Sequence, residues 1–298
     1  MNELDLIAKL RPLAGPAGLG LMDDAALIDV PQNHQLVIST DTMVEGVHFP
    51  AGRIGGGFSE RLLRTALSDL AAKGARPIGY SLNVSWPAGR DARWIDGFVN
   101  GLRDGQAAFD CPLIGGDTTS GTDRLVASAT VYGAVPRGRM VKRSGAKAGD
   151  FVFHTGELGL AEIGLAVVTG EPVSVDSVTR HRAEEAYLRP EPRFVFRKLL
   201  RKYATACADI SDGIVSEAGH IAAASGVAID LLSKVTEGAG FGDDYELLFC
   251  IASEDEAAMR DAAKSIGVPV TKAGQVRAGQ GVTIDGKPAS AAGYRHEL

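Results

Sequence analysis

A set of aspartates stands beside glycine or at the end of an apolar run, where surface acids are unusual. The set comprises Asp23 with Asp24, Asp41, Asp69, Asp117, Asp209 and Asp212. Hard divalent cations such as Mg²⁺ bind proteins through a few carboxylates and complete their coordination with phosphate oxygens and water. If these acids converge in the fold, the sequence predicts a site for several metal ions and a phosphorylated ligand.

Asp69 is the most informative of these acids, because helical spacing places it on an apolar face. It lies three residues after Ala66 and seven after Leu62 in a predicted helix. An isolated buried carboxylate is unfavourable unless it gains a metal, a cation or several hydrogen-bond donors. A metal is one solution, and pairing with Arg64 or Arg76 is the structural alternative.

The other candidates each have a simpler structural interpretation. Asp24 and Asp212, taken alone, are typical of turns. The segment 115–117, Gly-Gly-Asp, is either a turn or a place where backbone amides approach a phosphate. Arg143 is either a triphosphate clamp or a solvated arginine, and His48 by position alone is more often structural. The sequence contains no Walker A or dinucleotide-binding fingerprint, so any nucleotide site has another design.

Strands and helices alternate along the chain, which predicts a two-domain fold of α/β or α+β class. The Gly-, Lys- and Arg-rich segment 136–149 is the predicted join, giving domains 1–137 and 138–298. Ser253 and Glu256 have capping-box spacing, and Pro192 suits a first helical turn. The predicted strands are 25–29, 35–41, 78–84, 125–132, 150–154, 227–231 and 245–251, and the predicted helices are 59–73, 91–109, 212–225 and 253–265.

Composition narrows the class of partner. The net charge of -6 argues against a nucleic-acid or anionic membrane surface, both of which recruit clustered Lys and Arg. No apolar run approaches the length of a membrane span, and the first residues lack the apolar centre of a secretory signal. Three cysteines without paired spacing indicate a reducing compartment. We therefore expect a cytoplasmic protein with a small-molecule substrate.

Taken together, the motifs resemble the thiamine-monophosphate kinases, within the superfamily that includes aminoimidazole ribonucleotide synthetase and selenophosphate synthetase. The resemblance spans nearly the whole chain, and several ordered motifs are more specific than any one of them. It rests on Met22–Ala26, Ser39–Asp41, Glu45–Phe49, Leu67–Ala75, Gly115–Thr119, Arg143–Ala146, Asp209–Gly213 and Gly242–Leu247.

The resemblance implies a role for each matching residue, with ATP as co-substrate and several Mg²⁺ ions. The magnesium ligands would be Asp23, Ser39, Thr40, Asp41, Asp69, Asp117, Asp209 and Asp212, and among them Asp41, Asp69 and Asp117 would be catalytic. The contacts to ATP would be Gly116, Asp117, Arg143 and Ser211, with an aromatic contact somewhere near residues 98–100. The contacts to thiamine monophosphate would be His48, Asp243 and Tyr294.

The implied fold has an N-terminal sheet that forms a barrel with the same sheet of a second subunit, and a C-terminal α/β sandwich domain. The implied reaction is in-line transfer of the γ-phosphoryl group of ATP to thiamine monophosphate. Because the acceptor is already an anion, no general base is required. The segment between Leu231 and Gly242 is shorter than is usual in the family. Two alternatives therefore stay open: a kinase for another small phosphorylated metabolite, and a regulatory protein that binds ATP without turnover.

Overall fold

A computed structural model describes residues 3–52 and 55–289, and these divide into two compact units. Unit one comprises the described residues up to Leu70 together with Ala75–Gly138. Unit two comprises Ala71–Gly74 and the described residues from Arg139 onward. Each unit has its own sheet and its own helices, so the prediction of a mixed α/β chain with two domains is confirmed.

Unit one contains a four-stranded sheet in the order β1-β4-β2-β3. Strands β2 and β3 are parallel, and the other pairs are antiparallel. Among the described residues the sheet is open, with β1 and β3 as its edges, and no closed barrel is seen. The elements are α1 (Glu3–Leu10), β1 (His34–Val44), α2 (Gly55–Ala72), β2 (Arg76–Pro87), α3 (Ala92–Phe109), β3 (Leu113–Thr122) and β4 (Val126–Pro136).

The alternation of side chains along β1 gives the sheet of unit one two different faces. Val37 and Met43 are buried, whereas Leu36 and Ile38 on the other face are 40% and 56% exposed. Helices α2 and α3 approach each other closely at glycine: a Cβ atom on Gly101 would lie 2.1 Å from the carbonyl oxygen of Gly56. The helices therefore form a tight layer beside the sheet, and one sheet face stays open.

Unit two contains a seven-stranded sheet in the order β11-β10-β7-β9-β5-β8-β6 among the described residues. Alternate residues of β5 enter two cores: Val152 packs with helix α7, and Phe153 packs with α6 and α9. The elements are β5 (Phe151–Thr155), α4 (Leu160–Thr169), α5 (Ser177–Leu188), α6 (Arg197–Tyr203), β6 (Ala204–Asp209), α7 (Ile214–Ser225), β7 (Ala228–Leu231), α8 (Ser233–Thr236), β8 (Leu247–Ile251), α9 (Glu256–Ser265), β9 (Val270–Arg277), β10 (Gly281–Ile284) and β11 (Lys287–Pro288).

Three local predictions are wrong. Residues 25–29 form no strand: Leu27 is 70% exposed, and its N–H donates to the Ala17 carbonyl within a 3.0 Å hydrogen bond rather than to a neighbouring strand. No capping box forms, because Ser253 opens a 3₁₀ turn that precedes α9 and its hydroxyl contacts Glu254. Pro192 does not begin a helix, since its carbonyl accepts from the Phe194 N–H in a tighter turn.

The structure also bears on the three cysteines and on membrane spans. Cys111, Cys207 and Cys250 are all buried free thiols. Burial raises the pKa of Cys111 to about 12, so this thiol is not a reactive thiolate at neutral pH. In the part of the chain that the structure describes, no helix has both the length and the apolar character needed to cross a membrane.

Candidate functional site

An acidic pair forms between β1 and α2. Ser39 and Asp41 are alternate residues of β1 and therefore share a face, while Asp69 lies near the end of α2. The Ser39 hydroxyl donates a hydrogen bond to the Asp69 carboxylate. Burial, with a further contribution from the charge of Asp69, raises the pKa of Asp41 to about 7. The two carboxylates are thus close enough to repel each other in a partly buried environment.

Arg64 and Arg76, the alternative partners of Asp69, both have other contacts. Arg64 pairs with Glu60 at 3.0 Å, one helical turn away. Arg76 donates to the Pro77 carbonyl at 3.4 Å. The arrangement at Asp69 is therefore a serine hydroxyl and a second acid, rather than the arginine pair that would make it a structural ion pair.

The sequence predicts a strand that ends at Asp41 and an apolar run that ends at Asp117, but both acids lie inside strands. Asp41 is in the middle of β1, which continues to Val44, and Asp117 is in the middle of β3, which continues to Thr122. The strands continue because the polar residues beyond each acid pair with a neighbouring strand. The β1–β4 pairing has no register shift, and beyond Asp117 the β3–β2 pairing has one between Trp86 and Pro87. Thr40 points away from Asp41, and its hydroxyl lies 2.9 Å from that of Thr130.

A second group of candidate residues surrounds a cavity of about 510 Å³ beside β3. Asp23, Asp24 and Asp117 line it, and Phe98 contributes to its apolar wall. Gly116 also lines the cavity, with a φ of 155°, and a Cβ atom there would lie 1.9 Å from the Leu82 carbonyl oxygen. Only glycine fits at this position, because the backbone of β2 passes so close to it. The approach of a phosphate to this segment stays a prediction.

The two groups of unit one are separated across the sheet. Asp41 is on edge strand β1 and Asp117 on edge strand β3, with β4 and β2 between them. Three strand spacings correspond to about 14 Å. Within residues 3–52 and 55–289, no three acidic, histidine or cysteine side chains are gathered closely enough to hold a metal ion by themselves. Unit one therefore has an acidic pair at one edge and an acid-lined cavity at the other.

His48 lies in a turn directly after β1. The Val44 N–H donates to His48 Nδ1 at 3.1 Å, so a neutral ring carries its proton on Nε2. Glu45 fixes the same turn, because its carboxylate accepts from the N–H groups of Gly52 and Leu125 and from Arg90. Burial alone would raise the pKa of Glu45, but these donors lower it below its usual value.

Unit two brings two more motifs together. Asp209 is buried at the end of β6, and Ser211 and Asp212 follow in the turn before α7. The Asp243 N–H donates to the Ser211 carbonyl at 2.7 Å. Asp243 and Tyr245 both have positive φ, at 62° and 51°, a conformation that costs energy for residues other than glycine. The N-terminus of a helix such as α7 favours anions.

Arg143 lies beside the first turns of α7. Its guanidinium Nη2 is 3.5 Å from Glu217 Oε2, and His220 Nδ1 is 3.1 Å from the same oxygen. Ser225 holds the backbone here, because its hydroxyl donates to the Arg143 carbonyl and accepts from Gly145 N–H. Sequence reasoning did not identify Glu217, although an available signal was its spacing with the apolar face of α7.

The predicted roles of these residues stay predictions. The structure brings Ser39, Asp41 and Asp69 together, places Asp23, Gly116 and Asp117 around one cavity, and places Asp209, Ser211, Asp212 and Asp243 at one end of α7. Tyr294, the predicted aromatic contact to the substrate, lies outside the described residues.

Comparisons with known proteins identify the family. The family model for the N-terminal domain of AIR synthase related proteins matches residues 22–135, and the model for the C-terminal domain matches residues 147–287. A thiamine-monophosphate kinase of Caulobacter vibrioides is 41% identical over 306 residues, covering 95% of this chain and 86% of that protein.

Solved structures give the same result. The thiamine-monophosphate kinase from Stenotrophomonas maltophilia has a TM-score of 0.85 and 35% identity, covering 96% of each chain. The structure described as AaThiL complexed with AMPPCP and TMP has a TM-score of 0.81 and 29% identity, covering 99% of this chain and 96% of that one. The chain therefore belongs to the AIR synthase related proteins and, among them, to the thiamine-monophosphate kinase family.

Proposed function

We propose that this protein transfers the γ-phosphoryl group of ATP to thiamine monophosphate, giving thiamine diphosphate and ADP. Family membership supports the reaction class, and a similar structure has been solved with AMPPCP and TMP. The observation in this chain that carries the proposal is the acidic pair of Asp41 and Asp69. The raised pKa of Asp41 is what a cation-binding site shows when carboxylates are held together without the cation.

The residues present fit magnesium. Asp41, Asp69 and Ser39 offer only oxygen atoms, the ligand type that Mg²⁺ prefers, and a pair of carboxylates leaves coordination positions for phosphate oxygens. We propose that further ions are held with Asp23 and Asp117, and in unit two with Asp209 and Asp212. Thr40 is the weakest of the predicted ligands, because its hydroxyl contacts Thr130 on the other face of β1. Bound magnesium would neutralise negative charge on the phosphate groups.

The protein's own residues act by holding the two phosphorylated ligands. The contacts to ATP would be Gly116, Asp117, Arg143 and Ser211. His48 would contact the acceptor, and its Nδ1 accepts a hydrogen bond from the Val44 N–H, which fixes the ring. Asp243 and Tyr294 would complete the acceptor site. Positioning supplies the rate enhancement, because an anionic acceptor needs no proton removed before it attacks.

We further propose that residues 1–137 form the ATP, metal and dimerisation domain, and that residues 138–298 complete the ATP and acceptor sites. The open sheet face with Leu36 and Ile38 supports dimerisation, since exposed apolar residues on a sheet favour burial by a partner. A homodimer that closes the two sheets into a barrel would join their edge strands. It is the simplest arrangement that would unite the acidic pair of one copy with the Asp117 cavity of the other. The expected location is the cytoplasm.

The short segment before Gly242 supports a different phosphorylated acceptor as the alternative. Between β7 and Gly242 the chain contains only the four-residue helix α8 and a short loop. A related kinase for another small phosphorylated metabolite is therefore the alternative enzyme, and an ATP-binding regulatory protein without turnover is the alternative from another class.

A direct assay separates these functions. Purified protein is mixed with ATP, Mg²⁺ and thiamine monophosphate, and thiamine diphosphate and ADP are both quantified. We expect equal amounts of the two products, and none when Mg²⁺ is chelated. ADP release with a different phosphorylated acceptor, and not with thiamine monophosphate, would support the alternative enzyme. Nucleotide binding by calorimetry without turnover on any acceptor would support the regulatory protein.

A further inference from the structure

Glu217 is an acid for which the proposed reaction has no assigned use. It is wholly buried in α7, with a relative exposure of 0%. Its Oε2 atom contacts both Arg143 and His220. Its Oε1 atom has no hydrogen-bond partner within the described part of the chain. A buried carboxylate with one unsatisfied oxygen is an unfavourable choice for this position on stability grounds alone.

The surroundings of Glu217 make that cost clear. It lies three residues after Ile214 and four before Ile221, on the face of α7 that packs in the apolar core of unit two. Burial raises the pKa of Glu217, although the hydrogen bond with His220 and the charge of Arg143 partly oppose the shift. An apolar residue of similar volume would pack here without a desolvation cost. The carboxylate therefore needs a reason other than stability.

The reason that we infer is the contact of this carboxylate with the Arg143 guanidinium. Ser225 anchors the backbone of Arg143, so the position of the guanidinium depends on the side chain alone. The side chain is 46% exposed, and Glu217 contacts only its Nη2 atom. A guanidinium has five N–H donors in a fixed fork, so it can contact Glu217 with one edge and still present donors to a ligand.

We propose that Glu217 is a positioning residue that holds the Arg143 guanidinium over the first turns of α7, with His220 contacting the same carboxylate oxygen. The ligand that Arg143 then receives is the triphosphate of ATP. This inference rests on the proposed function for the identity of the ligand. Its geometric basis, the contact of Arg143 and His220 with one buried oxygen, is independent of it.

The test is a double-mutant cycle on nucleotide binding. Calorimetry with Mg²⁺ and AMPPCP, without any acceptor, compares wild type, Glu217→Gln, Arg143→Ala and the double variant. We expect Glu217→Gln to weaken binding about tenfold, equivalent to roughly 1.4 kcal/mol. Because Glu217 acts through Arg143, the double variant should bind as weakly as Arg143→Ala alone. Additive losses, or no loss in Glu217→Gln, would overturn the inference.

Two further measurements distinguish positioning from a structural role. Glu256→Gln removes an acid from a more exposed cluster with Arg260 and Lys272 and should leave nucleotide binding unchanged. In steady-state assays Glu217→Gln should raise KM for ATP while the KM for the acceptor stays constant. If Glu217→Gln fails to fold, Glu217→Asp replaces it in the double-mutant cycle. This variant keeps a carboxylate on a shorter side chain, so we expect a smaller loss of nucleotide affinity.

The outcomes separate this inference from the proposed function. Nucleotide binding with a coupled Arg143–Glu217 pair, but without phosphoryl transfer to thiamine monophosphate, would remove the proposed function and leave the positioning role standing. Phosphoryl transfer to thiamine monophosphate together with additive losses in the Arg143 and Glu217 variants would support the proposed function and overturn the positioning role. A wild-type protein that binds no nucleotide would overturn both.

Discussion

Two acids of unit one, Asp41 and Glu45, lie four residues apart in the chain, and their environments shift their pKa values in opposite directions. Glu45 is buried and accepts from two backbone N–H groups and an arginine, so its pKa falls. Asp41 is partly buried beside a second carboxylate, so its pKa rises to about 7. Burial is the larger cause of the raised pKa at Asp41, and the charge of Asp69 adds to it, whereas at Glu45 the hydrogen-bond donors outweigh the effect of burial.

The comparison separates an acid that holds the structure together from one that is kept ready for a ligand. Glu45 joins its own turn to the start of β4 and to the segment before α3, where Arg90 also lies over the ring of Trp94 at 4.6 Å. Asp41 has no comparable benefit to the fold, because its nearest charge is repulsive. We therefore expect substitution of Asp41 to affect function and substitution of Glu45 to affect stability.

The largest expected effect is on turnover. Asp41→Asn keeps the size of the side chain but removes the charge that would hold magnesium, so kcat should fall by at least about a thousandfold. The melting temperature should stay the same or rise, because the repulsion with Asp69 is gone. Asp69→Asn should behave in the same way. Activity within tenfold of wild type in either variant, in a protein with normal melting, would remove that residue from the mechanism.

The opposite result is expected at Glu45. Glu45→Ala leaves Arg90 without its carboxylate and two backbone N–H groups without an acceptor. Removing one partner of such a buried pair costs about 3–5 kcal/mol, measured by urea denaturation. The matched control is Glu256→Ala, which breaks a more exposed cluster and should cost about 1 kcal/mol or less. Equal losses in the two variants would mean that the Glu45 network contributes no more than a surface pair.

A smaller effect of Asp41 is expected on the way in which the stability of the fold depends on pH. An acid whose pKa is higher in the folded state binds more protons when folded, so stability falls as the pH rises. For Asp41 this window runs from its ordinary 3.8 to about 7. Burial also raises the pKa of Asp244 to about 7, so only the difference between wild type and Asp41→Asn isolates the contribution of Asp41.

Magnesium provides the control for that measurement. Adding Mg²⁺ should stabilise wild type more at pH 8 than at pH 5, because the ion competes with the proton for the same carboxylates. Asp41→Asn should show little dependence of this kind. If Mg²⁺ raised the melting temperature of wild type equally at both pH values, the raised pKa of Asp41 would not be linked to metal binding.

The sequence could predict these acids but not how they are grouped. Spacing in α2 was enough to single out Asp69, and the β-branched run before Asp41 was enough to predict a strand. The strand order β1-β4-β2-β3 could not be predicted, because it depends on long-range pairing rather than local pattern. That order places Asp117 at the opposite edge from Asp41. Glu217 could not be predicted in the same way, because it stands within an apolar helix face and not beside a glycine.

The smallest effect is expected at Thr40, which tests whether the two faces of β1 have different roles. Ser39 and Asp41 share the face that meets Asp69, whereas the Thr40 hydroxyl contacts Thr130 on the other face. Thr40→Val should cost at most about 1 kcal/mol, the size of one exposed cross-strand pair. If its hydroxyl is not a metal ligand, kcat should stay within about threefold of wild type. A hundredfold loss of kcat with normal stability would show instead that both faces of β1 serve the metal site.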